Sequence, residues 1–176
     1  MWGVIAAEAA DESLLWRDAL LPASGRELVA VFSPLAEQRY GLGLETIYEG
    51  YLVHYGSPRL FAPLDPDTAL LLGDYLYAHG LVRVASFGVV EAVSDLSELI
   101  SLSSQLRAEE APGDGPLWAA TAALLGAGSR LDDARAALRL RGDASSLDAA
   151  ARAVAGEGAV ERALAEHGAR FETRVR

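Results

Sequence analysis

The sequence contains no cysteine and no lysine, and its three histidines lie far apart. Without cysteine, the chain cannot form disulfides, use a thiolate nucleophile, or bind zinc or an iron–sulfur cluster through sulfur. The histidines show no HExxH-type spacing, which disfavours a zinc enzyme. All 15 cationic side chains are arginines.

Positive charge in excess and long apolar runs are also missing. The formal net charge is −10 at pH 7, and such a charge repels the phosphate backbone of nucleic acids, so we expect no nucleic-acid partner. No apolar run reaches the roughly twenty residues that a membrane-spanning helix requires. The first residues, MWGVIAAEAADE, lack the basic region of a signal peptide. We therefore expect a soluble, cytoplasmic protein without a membrane span.

What the sequence does contain is apolar residues at helical spacing. Of its 176 residues, 51% are hydrophobic, which is enough for one domain with its own core. Runs of alternating β-branched residues are absent. We predict a single all-α domain over residues 1–176, with a compact part at 1–111, a loop PGDGP at 112–116, and an alanine- and arginine-rich helical segment at 117–170.

Caps and breakers indicate where the helices of the compact part begin and end. Ser33 followed by Pro34, and Asp65 followed by Pro66, each combine an N-cap residue with proline at the first helical position. Gly41 weakens the helix that contains it and favours a bend there. The predicted helices cover residues 5–20, 27–32, 33–55, 66–86 and 88–111.

Two glutamates, Glu45 and Glu49, lie four residues apart and share one face of a predicted helix. Like charges at this spacing repel by about 0.2–0.5 kcal/mol unless a cation lies between them. One interpretation is a pair that binds magnesium, which prefers carboxylate oxygens and keeps waters for a diphosphate. The alternative is an exposed helix face, on which glutamates at this spacing are common.

Asp74 interrupts an apolar helix. Its neighbours three and four residues away are Leu70, Leu71, Tyr77 and Ala78, so its face is predicted to be buried. A buried carboxylate must be hydrogen-bonded or paired, or it keeps its proton. Asp74 therefore has either a structural role, such as capping or pairing with an arginine, or a direct contact with substrate or metal.

His54 and Arg59 flank the connector GSPRLFAPL at residues 56–64. Together they could bind an anion, since both can carry a positive charge. The alternative is that both are ordinary surface residues. The sequence leaves these two interpretations open.

The segment ALLLGDYLYAHGLVRVA, residues 69–85, resembles the helix that follows the first aspartate-rich motif of trans-polyprenyl diphosphate synthases. That family has DDxxDxxxxRRGxPT, a connector, and then a helix with A-(I/L)-L-x-G-D-x-L. Matching residues are Ala69, Leu71, Gly73, Asp74 and Leu76 in the helix, and Gly56 and Pro58 in the connector. The same alignment, which covers residues 40–111, places Glu45 and Glu49 at the first and last aspartates.

The sequence departs from this family at the positions that carry its chemistry. Thr46 falls at the second aspartate, and His54 and Tyr55 fall at the two arginines. The second aspartate-rich motif is missing, because RLDDARA at 130–136 offers only two acids. Family enzymes ionise an allylic diphosphate with three magnesium ions held between two such motifs. With so few ligands, most of the charge stabilisation that this step requires is lost.

The resemblance implies an all-α helical bundle similar to part of an isoprenoid-synthase fold. We expect a non-catalytic polyprenyl-synthase-like protein that needs no cofactor and forms a homodimer or pairs, as a small regulatory subunit, with a catalytic polyprenyl synthase. One alternative is a magnesium-dependent enzyme that binds or transfers a prenyl diphosphate through Glu45 and Glu49. Another is an unrelated helical interaction protein.

The same resemblance gives two expectations about apolar side chains. Tyrosines near the motif, with Phe61, either line an isoprenoid cavity or fill the core. Leucines on two helix faces are expected to pack against a partner chain unless the segment 117–170 covers them. These leucines are Leu70, Leu71, Leu72, Leu96, Leu99 and Leu102.

Overall fold

The computed structural model describes residues 1–172 and contains nine α-helices in that part of the chain. They are α1 (Trp2–Glu12), α2 (Leu14–Asp18), α3 (Gly41–Tyr55), α4 (Pro66–Ala85), α5 (Val90–Ala108), α6 (Asp114–Ala123), α7 (Asp132–Arg141), α8 (Ser145–Ala155) and α9 (Glu157–Glu172). Within residues 1–172 the only β-type pairing is an isolated bridge between Leu20 and Phe61, so the all-α prediction is confirmed. None of these helices is both long and apolar enough to cross a membrane.

Helices α3 and α4 form a closely packed antiparallel pair, joined by the connector 56–65. As predicted, Asp65 caps α4 by accepting a hydrogen bond from the Thr68 N–H at 2.8 Å, and Pro66 occupies the first helical position. A short connector between two helices forces them to pack as antiparallel neighbours.

Glycines allow the backbones of α3 and α4 to approach closely. Gly43 and Gly50 on α3 face Gly80 and Gly73 on α4. A Cβ atom at Gly80 would lie 2.4 Å from Ile47 Cγ1, and one at Gly50 would lie 2.9 Å from the Gly73 carbonyl oxygen. Side chains at these positions would push the helices apart. The glycines therefore permit the close contact of α3 with α4.

The N-terminal region differs from the prediction in three ways. The predicted helix at 5–20 is two helices, because Ser13 is extended and caps α2 through the Leu15 N–H. Residues 26–30 are not helical. The predicted helix at 33–55 starts only at Gly41, after short 3₁₀ turns at Ser33–Leu35 and Gln38–Tyr40, so the expected bend at that glycine is instead the helix start.

The core includes side chains from both the compact part and the alanine-rich segment. The larger of two apolar clusters extends from Val31 to Ala163, and helix α6 packs against α5. In consequence Leu96, Leu99 and Leu102 are buried inside the chain, as is Leu72. The segment 117–170 thus covers the α5 leucines, whereas two leucines on α4 stay 55% and 54% exposed, namely Leu70 and Leu71.

Candidate functional site

Glu45 and Glu49 lie one turn apart on α3 and are completely buried, together with Arg59 from the connector. Arg59 Nη1 donates to Glu45 Oε2 at 2.6 Å, and Arg59 Nε donates to Glu49 Oε2 at 2.9 Å. The cation that relieves the repulsion between the two glutamates is therefore a guanidinium of the same chain. We call these three residues the Arg59 triad.

Backbone N–H groups occupy the remaining carboxylate oxygens of the triad. Glu45 Oε1 accepts from Val31 at 3.0 Å and from Ser33 at 2.9 Å. Glu49 Oε1 accepts from the N–H of Arg59 at 2.8 Å and of Leu60 at 2.7 Å. Each of the four carboxylate oxygens therefore has a donor, as buried charged groups require.

Burial and charge act in opposite directions on Arg59. Burial disfavours the charged guanidinium, but the two carboxylates outweigh it, so the pKa of Arg59 lies above its ordinary value. The rings of Trp2 and Tyr48 pack against the guanidinium, 4.6 Å and 5.0 Å from its central carbon to the ring centroids. The triad is an enclosed set of ion pairs that ties the connector to α3.

This arrangement does not fit a magnesium-binding pair. Mg²⁺ demands an octahedral set of oxygen ligands and usually keeps several waters. Here the carboxylate oxygens already accept hydrogen bonds, and a guanidinium lies between them. Residues 1–172 contain no group of three or more His, Asp or Glu side chains that could hold a metal ion. The exposed-face interpretation of Glu45 and Glu49 is also wrong, because both side chains are buried.

The prediction that Asp74 faces the interior is wrong. Helix α4 packs on α3 through Leu72, Gly73 and Leu76, so the Asp74 side chain is 65% exposed. It lies 3.3 Å from His54 Nε2 rather than near an arginine. Burial lowers the pKa of His54, against the opposing effect of the Asp74 carboxylate.

His54 and Arg59 do not form an anion site. Arg59 is buried and its guanidinium is bonded to the two glutamates, so the surface interpretation is also wrong for this residue. His54 instead lines an open groove of about 710 Å³ with connector residues, among them Ser57 and Phe61. The structure brings together Glu45, Glu49 and Arg59, and it separately joins His54 to Asp74.

A second buried polar cluster was not predicted from the sequence. The Tyr48 hydroxyl lies 2.9 Å from His167 Nδ1, and His167 Nε2 lies 3.0 Å from Asp114 Oδ2. Tyr51 donates to Asp114 Oδ2 at 2.6 Å. Arg107 Nε donates to the Tyr51 hydroxyl at 2.7 Å, and its guanidinium also pairs with Asp114. We call these five residues the Asp114 cluster.

The Asp114 cluster holds one carboxylate charged among neutral tyrosines. Burial raises the pKa of Asp114, but hydrogen bonds and charge from His167, Tyr51 and Arg107 outweigh it and hold that pKa below its ordinary value. Burial raises the pKa of Tyr48 and Tyr51 well above the ordinary range. Both tyrosines are completely buried, so they fill the core and this cluster joins helices rather than facing a ligand.

Comparison of the chain with protein-family models, with curated proteins and with solved structures found no match. Any function for the chain therefore rests on the geometry of the Arg59 triad and on the resemblance of residues 40–111 to trans-polyprenyl diphosphate synthases.

Proposed function

We propose that the protein is a non-catalytic, polyprenyl-synthase-like chain that acts as the small regulatory subunit of a heteromeric prenyl diphosphate synthase. The main observation behind this proposal is that Arg59 occupies a carboxylate oxygen of both Glu45 and Glu49. The resemblance places these glutamates at two metal-binding aspartates, yet here their oxygens bind a guanidinium and backbone N–H groups. In this proposal, both metal-ligand positions of the family motif still carry carboxylates, but these carboxylates fix the connector to α3 instead of binding metal.

The charge around the neighbouring position supports the same proposal. The family has an arginine pair where this chain has His54 and Tyr55. His54 lies against Asp74, and burial lowers its pKa, which favours the neutral ring. A diphosphate needs fixed cations to stabilise its developing charge. At the position of the arginine pair, this chain has the His54 ring, with the carboxylate of Asp74 beside it.

The subunit role is supported by apolar surface on α4. Leu70 and Leu71 are more than half exposed on the solvent-facing side of α4, and Leu64 on the adjoining connector is 87% exposed. Neighbouring apolar side chains of this kind favour contact with another protein. By analogy, the partner is a polyprenyl synthase that carries both aspartate-rich motifs.

A prenyl-transfer assay tests the proposal. The purified chain, given isopentenyl diphosphate, farnesyl diphosphate and Mg²⁺, is expected to form no product. Mixing it with a motif-complete synthase from the same organism should form a complex and change the yield or length of the prenyl product. Turnover by the chain alone, or an unchanged synthase with no complex by light scattering, contradicts the proposal.

Matched variants locate the contact. Leu71→Asp places a charge on the exposed α4 surface and should weaken the complex at least tenfold. Val154→Asp, at a similarly exposed position on α8, should leave it unchanged. Equal binding of both variants would place the contact away from Leu71. Absence of any complex for the wild type as well would favour the alternative of a helical interaction protein unrelated to the synthases.

A further inference from the structure

The Arg59 guanidinium is bonded on most of its edge. Besides the two carboxylate contacts, Arg59 Nη1 donates to the Val29 carbonyl oxygen at 2.8 Å, and Nη2 donates to the Glu45 carbonyl oxygen at 3.3 Å. Four acceptors therefore surround the edge of the guanidinium, two of them charged. A guanidinium has five N–H donors in one plane, and this set uses four of them.

Aromatic rings complete the site. Trp2 and Tyr48 pack against the guanidinium with distances of 4.6 Å and 5.0 Å from its central carbon to the ring centroids. Ring faces attract cations and stack well on flat guanidinium groups. The result is a slot with a negative edge and apolar walls, whose acceptors surround a flat cation rather than the octahedral set that a magnesium ion demands.

The acceptors are held in place without the Arg59 side chain. Backbone N–H groups of Val31 and Ser33 fix one oxygen of Glu45, and those of residues 59 and 60 fix one oxygen of Glu49. Removing the guanidinium would leave two oriented carboxylates buried without a cation, which is strongly unfavourable. A cation of the right shape would relieve that cost.

We infer that Glu45, Glu49, Val29, Trp2 and Tyr48 form a guanidinium-binding site that selects a planar guanidinium over a divalent metal ion. Arg59 is its built-in ligand, covalently attached through the connector. A free guanidinium compound is therefore the ligand class that this site takes when the side chain of Arg59 is removed. The inference is independent of the proposed synthase role, since it concerns only the shape and charge of the slot.

Chemical rescue of Arg59→Ala tests this inference. The variant is expected to have a lower thermal midpoint than the wild type, and millimolar ethylguanidinium should restore at least half of the loss with saturable dependence on concentration. Equal ionic strength from NaCl, or the same concentration of MgCl₂, should not give saturable recovery. The wild type should show no such increase with ethylguanidinium, because Arg59 fills the site.

The double variant Glu45→Gln/Arg59→Ala provides the control, since it removes one charged acceptor and should lose the rescue. If Arg59→Ala does not stay folded, the same compounds are added during refolding from urea, and recovery of the helical circular dichroism signal is measured. Recovery with ethylguanidinium alone supports the inference. Recovery with Mg²⁺ but not ethylguanidinium, or with neither compound, overturns it.

Discussion

The Arg59 triad and the Asp114 cluster are both buried polar groups attached to α3, yet they are built on different principles. The triad joins α3 to the connector that follows it, and its cation is an arginine that stays charged at every accessible pH. The Asp114 cluster joins α3 to α5, α6 and α9 through a carboxylate and a histidine. Tyr48 contributes to both, its ring to the triad and its hydroxyl to His167. The comparison shows that one helix can carry one attachment to a neighbouring connector and one to helices distant in the chain.

The largest expected effect is on the triad. Arg59→Met should lower the free energy of unfolding by about 3–5 kcal/mol, because it leaves two buried carboxylates without their cation. Urea denaturation followed by circular dichroism measures this. Arg39→Met is the control, since its partner Glu37 is 64% exposed and such surface pairs contribute about 0–1 kcal/mol. A loss below about 1 kcal/mol for Arg59→Met would show that the triad is not the stronger attachment.

The second prediction concerns Asp114 and pH. Asp114→Asn should cost about 1.5–3 kcal/mol at neutral pH, because it weakens hydrogen bonds to a buried charge. The folded pKa of Asp114 lies below its ordinary value of 3.8, so its contribution is present above that pH. It is lost as the pH falls towards the folded pKa. The wild type should therefore lose more stability on acidification below pH 3.8 than the variant does.

Urea titrations at a series of pH values give the slope of the free energy of unfolding against pH for the wild type and for Asp114→Asn. Asp11→Asn, on the exposed surface of α1, is the control and should keep the wild-type slope. Equal slopes for Asp114→Asn and the wild type would mean that the titratable attachment lies elsewhere in the molecule.

The third prediction uses the residue that the two groups share. Tyr48→Phe removes the hydroxyl that bonds His167 but keeps the ring on Arg59, and should cost about 1 kcal/mol. In a double-mutant cycle it should couple with Asp114→Asn by about 0.5 kcal/mol or more, because both act through His167. It should be additive with Arg39→Met. Additivity with Asp114→Asn would mean that the hydroxyl contact is energetically separate from the cluster.

The smallest effect is expected at Asp74, whose carboxylate is 65% exposed beside the largely buried ring of His54. Asp74→Asn should change the free energy of unfolding by less than about 0.5 kcal/mol, because an exposed carboxylate contributes little through its polar contacts. Thermal and urea unfolding check this against Asp114→Asn, an equivalent change at a buried carboxylate. A loss comparable to that of Asp114→Asn would indicate a structural role for Asp74 that its exposure does not suggest.

Local signals in the sequence predicted α4 well. The Asp65–Pro66 cap, the periodic apolar residues and the break near Gly88 correspond to observed boundaries within a few residues. The same signals are misleading at residues 27–32. The apolar residues there have helical spacing, but the segment is not helical and its backbone forms hydrogen bonds to residues distant in the chain. Val29 and Val31 there use their backbone groups to bind Arg59 and Glu45. No local pattern carries that information.

The two buried groups differ in how far the sequence indicates them. Glu45 and Glu49 stand out by spacing, which leaves a magnesium pair and an exposed face as the alternatives. Neither alternative contains Arg59, which is the cation that the structure places between them. Asp114 was assigned to a loop, and its partners Tyr48 and His167 lie 66 and 53 residues away along the chain, so spacing gives no signal. Asp74 was placed wrongly because α4 is apolar on more than its packed face, as Leu70 and Leu71 show.

The positions of the triad residues along the chain have a consequence for the order of folding. Arg59 contacts partners 10 and 14 residues away, whereas the contact of Tyr48 with His167 spans 119 residues. By loop-closure entropy, the longer contact costs roughly 2 kcal/mol more to form from the unfolded chain than the 14-residue one. We expect α3, the connector and α4 to assemble first, with α9 docking last onto a surface that is already formed.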